Sequence, residues 1–174
     1  MNVTARPAGR PRGTPWALLA WILLLAALFA QLEIQIEGPF GWAAALPTWR
    51  LSAAPTLQFL FGGREITGYH TFAFAFMLAV FHLPIALTGK FSANIEMRIL
   101  GSLMLFWILE DVLWFAMNPA YGLVRLTPQA APWHPHWLCG VPIDYLILPF
   151  VGVALILASF REGRAAKPPE VTSE

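Results

Sequence analysis

Charged side chains are scarce in this sequence, and their scarcity argues against an ordinary soluble domain. They make up 12% of the 174 residues, whereas a soluble domain carries about 25%. The hydrophobic share is 57% and the mean hydropathy is +0.60. The net charge is only +1, far from the strongly positive charge typical of nucleic-acid binding. The composition therefore indicates a membrane protein whose partner is a lipid bilayer.

Cysteine is also scarce, because Cys139 is the only one in the chain. A single thiol cannot form an internal disulfide, so a disulfide-stabilised scaffold is excluded. The sequence also lacks the Walker loop, the dinucleotide-binding glycine fingerprint and the HExxH, GxSxG and CxxC motifs. It has no internal repeat of the kind that builds many transporters. Any chemistry must therefore come from side chains that these motifs do not identify.

Long apolar stretches, by contrast, are plentiful. A hydrocarbon core of about 30 Å takes about 20 helical residues to cross, and lipid satisfies no backbone hydrogen bonds, so such stretches are expected to be helices. Four stretches have the required length, at about 16–36, 69–88, 97–117 and 141–160. They predict an all-α integral membrane protein. Its four-transmembrane-helix bundle would occupy 16–161, between disordered tails at 1–15 and 162–174.

The first apolar stretch resembles a secretory signal peptide, because three arginines precede it. However, Leu28 stands three residues before the candidate cleavage point, where a small residue is expected. We therefore expect an uncleaved first helix.

The distribution of Lys and Arg predicts the orientation of the helices, because cytoplasmic segments carry more of them. Most of the eleven fall in the two tails or around the turn between the second and third spans: Arg6, Arg10, Arg12, Lys90, Arg98, Arg161, Arg164 and Lys167. The others fall in the two remaining loops: Arg50, Arg64 and Arg125. We therefore expect both termini to be cytoplasmic, in a bacterial-type inner membrane or a plasma membrane.

The two outer loops, at 37–68 and 118–140, differ from solvated tethers. Both are rich in Pro and Gly, which end helices, and both are also aromatic. Their tryptophans fit an interfacial aromatic belt: Trp42, Trp49, Trp133 and Trp137. We predict two structured loops folded against the helix ends, with a short interfacial or re-entrant helix at 51–63.

Ionisable side chains converge on the outer ends of the predicted helices. Glu110 and Asp111 lie within the third span, and Glu33 and Glu37 share one face of the first. An ionisable group near the centre of a membrane helix costs about 2.5–3.5 kcal/mol, so these groups should face protein. Glu110 and Asp111 are the candidate catalytic residues. The alternative is a buried polar clamp that sets the register of the helices.

Three further polar residues near these ends are candidate substrate-binding residues: Arg50, Asn118 and Tyr145. Arg50 or Arg125 would hold an anionic headgroup. Asn118 lies seven residues after Asp111 and therefore shares a face of the third helix with it.

The segment WHPHW at 133–137 predicts a metal-binding pair. Its prolines favour an extended chain, in which alternate residues point the same way, so His134 and His136 would face one ion. With His70 and Glu33 they are the candidate ligands of a divalent metal such as zinc or iron. The alternative is an interfacial loop whose imidazoles stay hydrated.

Two functions of different kinds remain open at this stage. The first is a small membrane enzyme, metal-dependent or acid/base, acting on a lipid-like molecule under the outer loops. The second is a non-catalytic accessory, binding or channel subunit, compatible with an oligomer, whose buried acids fix helix packing. We predict that His134 or His136 lies within about 8 Å of Glu110, Asp111 or Glu33, close enough for a shared metal or a water-bridged contact.

Overall fold

The computed structural model describes residues 15–51 and 65–161, without the side chain of Arg161. The predicted disordered tails lie outside the described residues, except for their bordering position at Pro15. The predicted interfacial or re-entrant helix also lies outside them, apart from Leu51.

Four long helices dominate the described chain, as the apolar stretches predict. Their bounds are α1 Pro15–Glu37, α2 Gly68–Thr88, α3 Ala93–Met117 and α4 Ile143–Arg161. Each is long and apolar enough to cross a membrane. Large apolar side chains such as Phe72 on α2 and Phe150 on α4 stay exposed. This is the pattern expected where lipid rather than water surrounds the helices.

Two helix starts differ from the predicted ones, each for a local reason. Helix α3 begins at Ala93 because the Ser92 hydroxyl accepts a hydrogen bond from the backbone N–H of Ile95 at 3.3 Å and caps the helix. Helix α4 begins at Ile143 because the preceding residues form a hairpin. Its strands are β3 Trp137–Leu138 and β4 Val141–Pro142. Cys139 and Gly140 form its two-residue turn with φ of 50° and 79°, the positive values that such turns require.

Helix α3 is the central element and packs along both α1 and α4. A Cβ atom on Gly101 would lie 2.5 Å from the carbonyl oxygen of Gly152, and one on Gly152 would lie 2.9 Å from the carbonyl oxygen of Gly101. Two facing glycines therefore permit the close approach of α3 and α4. A buried apolar cluster includes residues from all four helices, among them Ile22, Met77, Phe106 and Ile156.

The described parts of the α1–α2 and α3–α4 loops contact the helices. In the α1–α2 loop, strand β1 (Arg50–Leu51) pairs with strand β2 (Ile66–Thr67), and Thr67 caps α2. In the α3–α4 loop, the Trp133 ring stacks on Phe115 of α3 with centroids 5.8 Å apart. The described parts of both loops therefore cover the helix ends where the ionisable residues lie.

Candidate functional site

A cavity of about 790 Å³, here called the main cavity, lies between α2 and α4 and against one side of α3. Ionisable side chains line one end, here called the polar end: Glu33, His70, Glu110, Asp111, His134 and Asp144. Apolar side chains line the other, here called the apolar end: Phe74, Leu78, Leu103, Trp107, Ile147 and Leu148. The cavity is therefore amphipathic along its length.

The helix spacing gives the main cavity its depth. Leu78 follows His70 by eight residues on α2, and Leu103 precedes Asp111 by eight residues on α3. At a rise of 1.5 Å per residue, both separations are about 12 Å. The side chains of Leu78 and Ile147 are 47% and 53% exposed. The apolar end therefore opens sideways between α2 and α4.

The first polar group, here called the glutamate cluster, consists of Glu33, Glu37, Glu110 and His70. Glu33 and Glu37 are one turn apart on α1, and Glu37 Oε1 lies 3.9 Å from His70 Nε2. Glu37 also accepts a hydrogen bond from the backbone N–H of Ala43. The buried carboxyl groups of Glu33 and Glu110 are neighbours, and a hydrogen bond between them would require a proton on one of the two.

The second polar group, here called the aspartate cluster, consists of Asp111, His134, Asp144 and Tyr145. His134 Nδ1 donates to Asp144 Oδ2 at 3.2 Å, and His134 Nε2 lies 3.0 Å from Asp111 Oδ2. The Nε2 contact is an ion pair by distance but lacks the alignment of a hydrogen bond. The Tyr145 hydroxyl donates to the same Asp111 oxygen. His134 is thus held between two carboxylates.

The protonation of His134 follows from these contacts. Burial favours the neutral imidazole, but the adjacent Asp111 and Asp144 outweigh it and raise the pKa of His134 from 6.5 to about 9. At neutral pH the imidazole is therefore charged and can act as a proton donor.

The predicted proximity of a loop imidazole to a helix-borne acid is confirmed by the contact between His134 and Asp111. The adjacent acids Glu110 and Asp111 have different partners, because successive residues of a helix point about 100° apart. Glu110 contacts Glu33, and Asp111 contacts His134 and Tyr145.

The structure does not bring His134 and His136 together as ligands of one ion. A hydrogen bond from the backbone N–H of His134 to the Ala131 carbonyl at 3.1 Å makes a turn. Consequently Trp133 and His134 are both buried, while His136 is exposed at the rim of the main cavity. The segment around His134 is therefore not an extended chain, and alternate side chains do not point the same way. The predicted ligands Glu33 and His70 lie in the other cluster.

Two of the predicted substrate-binding residues do not line the main cavity. Arg50 donates to the Ala43 carbonyl and lies 3.8 Å from the Glu65 carboxylate. The Asn118 side chain donates to the Gly38 carbonyl at 2.9 Å and accepts from the Ala120 N–H at 3.0 Å. Both therefore hold loop backbone. Only the third, Tyr145, borders the cavity.

Three residues outside the predicted site contribute to it. Glu37 is 6% exposed rather than solvated, and Asp144 binds His134 in addition to lying in the first turn of α4. The Trp42 ring stacks on His70 with centroids 3.9 Å apart. The four-residue spacing of Glu33 and Glu37 in the sequence indicated that Glu37 could belong to the site. No local pattern signalled Trp42.

No protein-family model, curated protein or solved structure matches this chain. The geometry of the main cavity is therefore the basis for a functional proposal.

Proposed function

We propose that this chain is an integral membrane protein that binds a lipid-like molecule in the main cavity and acts on its head group by acid/base chemistry. In this proposal the four helices form a transmembrane bundle with both termini in the cytoplasm. The excess of Lys and Arg in the tails and the α2–α3 turn supports that orientation. The polar end then faces outward, near the membrane surface.

The amphipathic lining of the main cavity is the observation that carries this proposal. Its volume of about 790 Å³ falls within the range of about 300–1,000 Å³ found for small-molecule sites. An acyl or isoprenoid chain fits beside apolar walls such as Phe74 and Leu103, while a head group meets the polar end. The sideways opening at Leu78 and Ile147 provides a route from the bilayer.

The charges at the polar end favour an uncharged head group that bears hydroxyls. Carboxyl groups outnumber imidazoles among the lining residues, and Arg50, the predicted anion-binding residue, is bound elsewhere. A hydroxyl can both donate to the carboxylates and accept from a donor. The buried Nε1–H of Trp114 borders the cavity and has no hydrogen-bond partner among the described residues. It is available to such an oxygen.

His134 is the proton donor in this proposal. Asp111 and Asp144 keep its imidazole charged, and the hydroxyl of Tyr145 orients Asp111. A positioned imidazolium that protonates a leaving or developing oxygen contributes typically about 10²–10⁴-fold to a rate. The carboxyl groups of Glu33 and Glu110 accept hydrogen bonds from the head group on the opposite side.

Tryptophan fluorescence provides the test, because half of the eight tryptophans line the main cavity: Trp42, Trp107, Trp114 and Trp133. A brominated monoacylglycerol, titrated into the detergent-solubilised protein, should quench this fluorescence saturably. Ala75→Phe places a ring in the cavity wall and should abolish the saturable part. Ala79→Phe, one turn further along α2 and outside the cavity lining, is the matched control. A brominated fatty acid should bind more weakly, because its head is anionic.

Non-saturable quenching of equal size in both phenylalanine variants would contradict lipid binding in the main cavity. It would favour the alternative of a non-catalytic subunit in which polar residues fix packing. One observation supports that alternative: Glu37 and Asn118 both hydrogen-bond to loop backbone. Tighter binding of the brominated fatty acid would instead refute the uncharged head group.

A further inference from the structure

Three side chains of the glutamate cluster are arranged as metal ligands. One ligand atom from each of Glu33, Glu37 and His70 lies within 4.8 Å of the others. Ligand atoms around a tetrahedral ion bound at about 2.1 Å are about 3.4 Å apart, so side-chain movements of about 1 Å would suffice to bind it. The last turns of α1 and the first turn of α2 supply these residues. The arrangement therefore rests on helices rather than on flexible loops.

The hydrogen bonds of His70 prepare it to bind a metal. Its Nδ1 lies 2.7 Å from Thr67 Oγ1, and its Nε2 faces Glu37 Oε1 at 3.9 Å. When Nδ1 carries the proton and donates it to Thr67, the lone pair of Nε2 faces the carboxylates. Metal-binding imidazoles almost always use their other nitrogen in this way, which fixes the tautomer and the ring orientation. The stacked Trp42 further restricts the ring.

An independent observation comes from Glu110, whose side chain is 4% exposed. Its Oε1 atom is buried and has no hydrogen-bond partner in the described part of the chain, while the same carboxyl group contacts Glu33. An unpaired buried oxygen of this kind costs about 1–3 kcal/mol. A cation in the glutamate cluster that also contacts this oxygen would satisfy it.

The charges around the glutamate cluster also favour a bound cation. Within residues 15–51 and 65–160, no Lys or Arg forms an ion pair with Glu33, Glu37 or Glu110. Several carboxyl groups packed together away from water need either protons or a bound cation to offset their charge, because repulsion between carboxylates is strong at low dielectric constant.

We propose that Glu33, Glu37 and His70, completed by Glu110, bind one divalent transition-metal ion. Carboxylate and imidazole ligands together suit Zn²⁺, and an imidazole ligand disfavours Mg²⁺ and Ca²⁺, which take oxygen ligands. The ligand set differs from the sequence-based expectation, because it excludes His134 and His136. The site shares Glu33 and Glu110 with the head-group end of the main cavity, but metal binding does not require the lipid-like ligand proposed above.

The test measures Zn²⁺ binding to the full chain in detergent, after chelation and without added lipid. The exposed Cys139 is replaced by Ser in all samples, so that thiol binding does not contribute. Calorimetry should show one Zn²⁺ per chain, not displaced by excess Mg²⁺. Glu33→Gln and His70→Asn should each weaken binding at least about 10-fold, the lower limit seen even when only a supporting residue is lost. His136→Asn, which changes an exposed imidazole at the rim of the cavity, should bind Zn²⁺ as the parent does.

A thermal measurement guards against variants that fold poorly. Zn²⁺ should raise the unfolding temperature of the parent and of His136→Asn, but not that of His70→Asn. The proposal is overturned if the parent binds no Zn²⁺ saturably, or if His70→Asn and His136→Asn bind it equally well, which would indicate an adventitious ion only. No lipid is added in these measurements. The metal proposal can therefore be refuted while lipid binding is confirmed, and lipid binding can be refuted while the metal proposal is confirmed.

Discussion

The two buried histidines of the main cavity, His70 and His134, have opposite surroundings. His134 contacts a carboxylate through each ring nitrogen, Asp144 through Nδ1 and Asp111 through Nε2. His70 contacts a neutral hydroxyl of Thr67 through Nδ1 and faces one carboxylate, Glu37, through Nε2. Each ring also packs against an aromatic neighbour, Trp42 for His70 and Tyr145 for His134.

The difference shows that neighbouring side chains determine whether an imidazole serves as a proton donor or as a metal ligand. Two carboxylates stabilise a proton on both nitrogens of His134, so this ring serves as a charged donor and has no lone pair for a metal. The Nδ1 atom of His70 contacts a neutral hydroxyl, so when Nδ1 is protonated Nε2 keeps a lone pair and this ring can serve as a ligand. The predictions below test this contrast by changing one cluster at a time.

The largest effect is expected from His134→Ala. Removal of the imidazole takes away the positive charge that Asp111 and Asp144 share. Breaking a buried ion pair costs about 3–5 kcal/mol, and we expect about 3 kcal/mol here because both carboxylates keep some exposure. The unfolding temperature in detergent measures the loss. The exposed His136→Ala is the control, and an equal loss there would remove the special role of His134.

The stability that His134 contributes should depend on pH. Because its folded-state pKa of about 9 lies above the ordinary value of 6.5, the contribution is complete below pH 6.5 and is lost as pH rises through 9. One pKa unit corresponds to about 1.4 kcal/mol, so the shift sets an upper limit of about 3 kcal/mol, and partial exposure of the aspartates lowers the expected loss to about 2 kcal/mol. Unfolding temperatures from pH 6 to pH 10 should fall more for the parent than for His134→Gln. An equal fall of the unfolding temperature in the two proteins would contradict a charged imidazole at His134.

A smaller effect is expected in the other cluster from Thr67→Val. The Thr67 hydroxyl accepts from the backbone N–H of His70 and contacts its Nδ1. Loss of such a helix cap costs about 1 kcal/mol. The rotation of the His70 ring should also increase, which can be read from its NMR signals. Thr71→Val removes only a hydrogen bond to the Thr67 carbonyl. It should change both the stability and the NMR signals of His70 less.

The smallest effect is expected from Asp144→Asn. The side chain of Asp144 is 40% exposed, against 25% for Asp111, so solvent screens its attraction to His134 more strongly. We expect a loss of about 0.5 kcal/mol and a larger loss for Asp111→Asn, which also weakens the contact with Tyr145. Denaturant unfolding of the two variants provides the comparison. The reverse order would show that Asp144 is the main partner of His134.

The sequence was sufficient to predict the four helices and the region where polar residues meet. The length of each apolar stretch determines where a helix can cross lipid. The free-energy cost of placing Glu110 and Asp111 in lipid determines that they face protein. Both effects act on residues close together in the chain. Exact starts depended on finer local chemistry, such as the cap at Ser92 and the turn at Cys139 and Gly140.

Only the tertiary structure decided which acid pairs with which imidazole. His134 turns inward because Trp133 packs on Phe115 and the Ala131 turn redirects the chain, whereas His136, two residues later, stays exposed. His70 meets Glu37 because the α1–α2 loop, although long in sequence, returns α2 to the end of α1. Side-chain pairing depends on distances between segments far apart in the chain. Local hydrophobicity and charge determine that a segment is buried, but they contain no information about the partner it meets there.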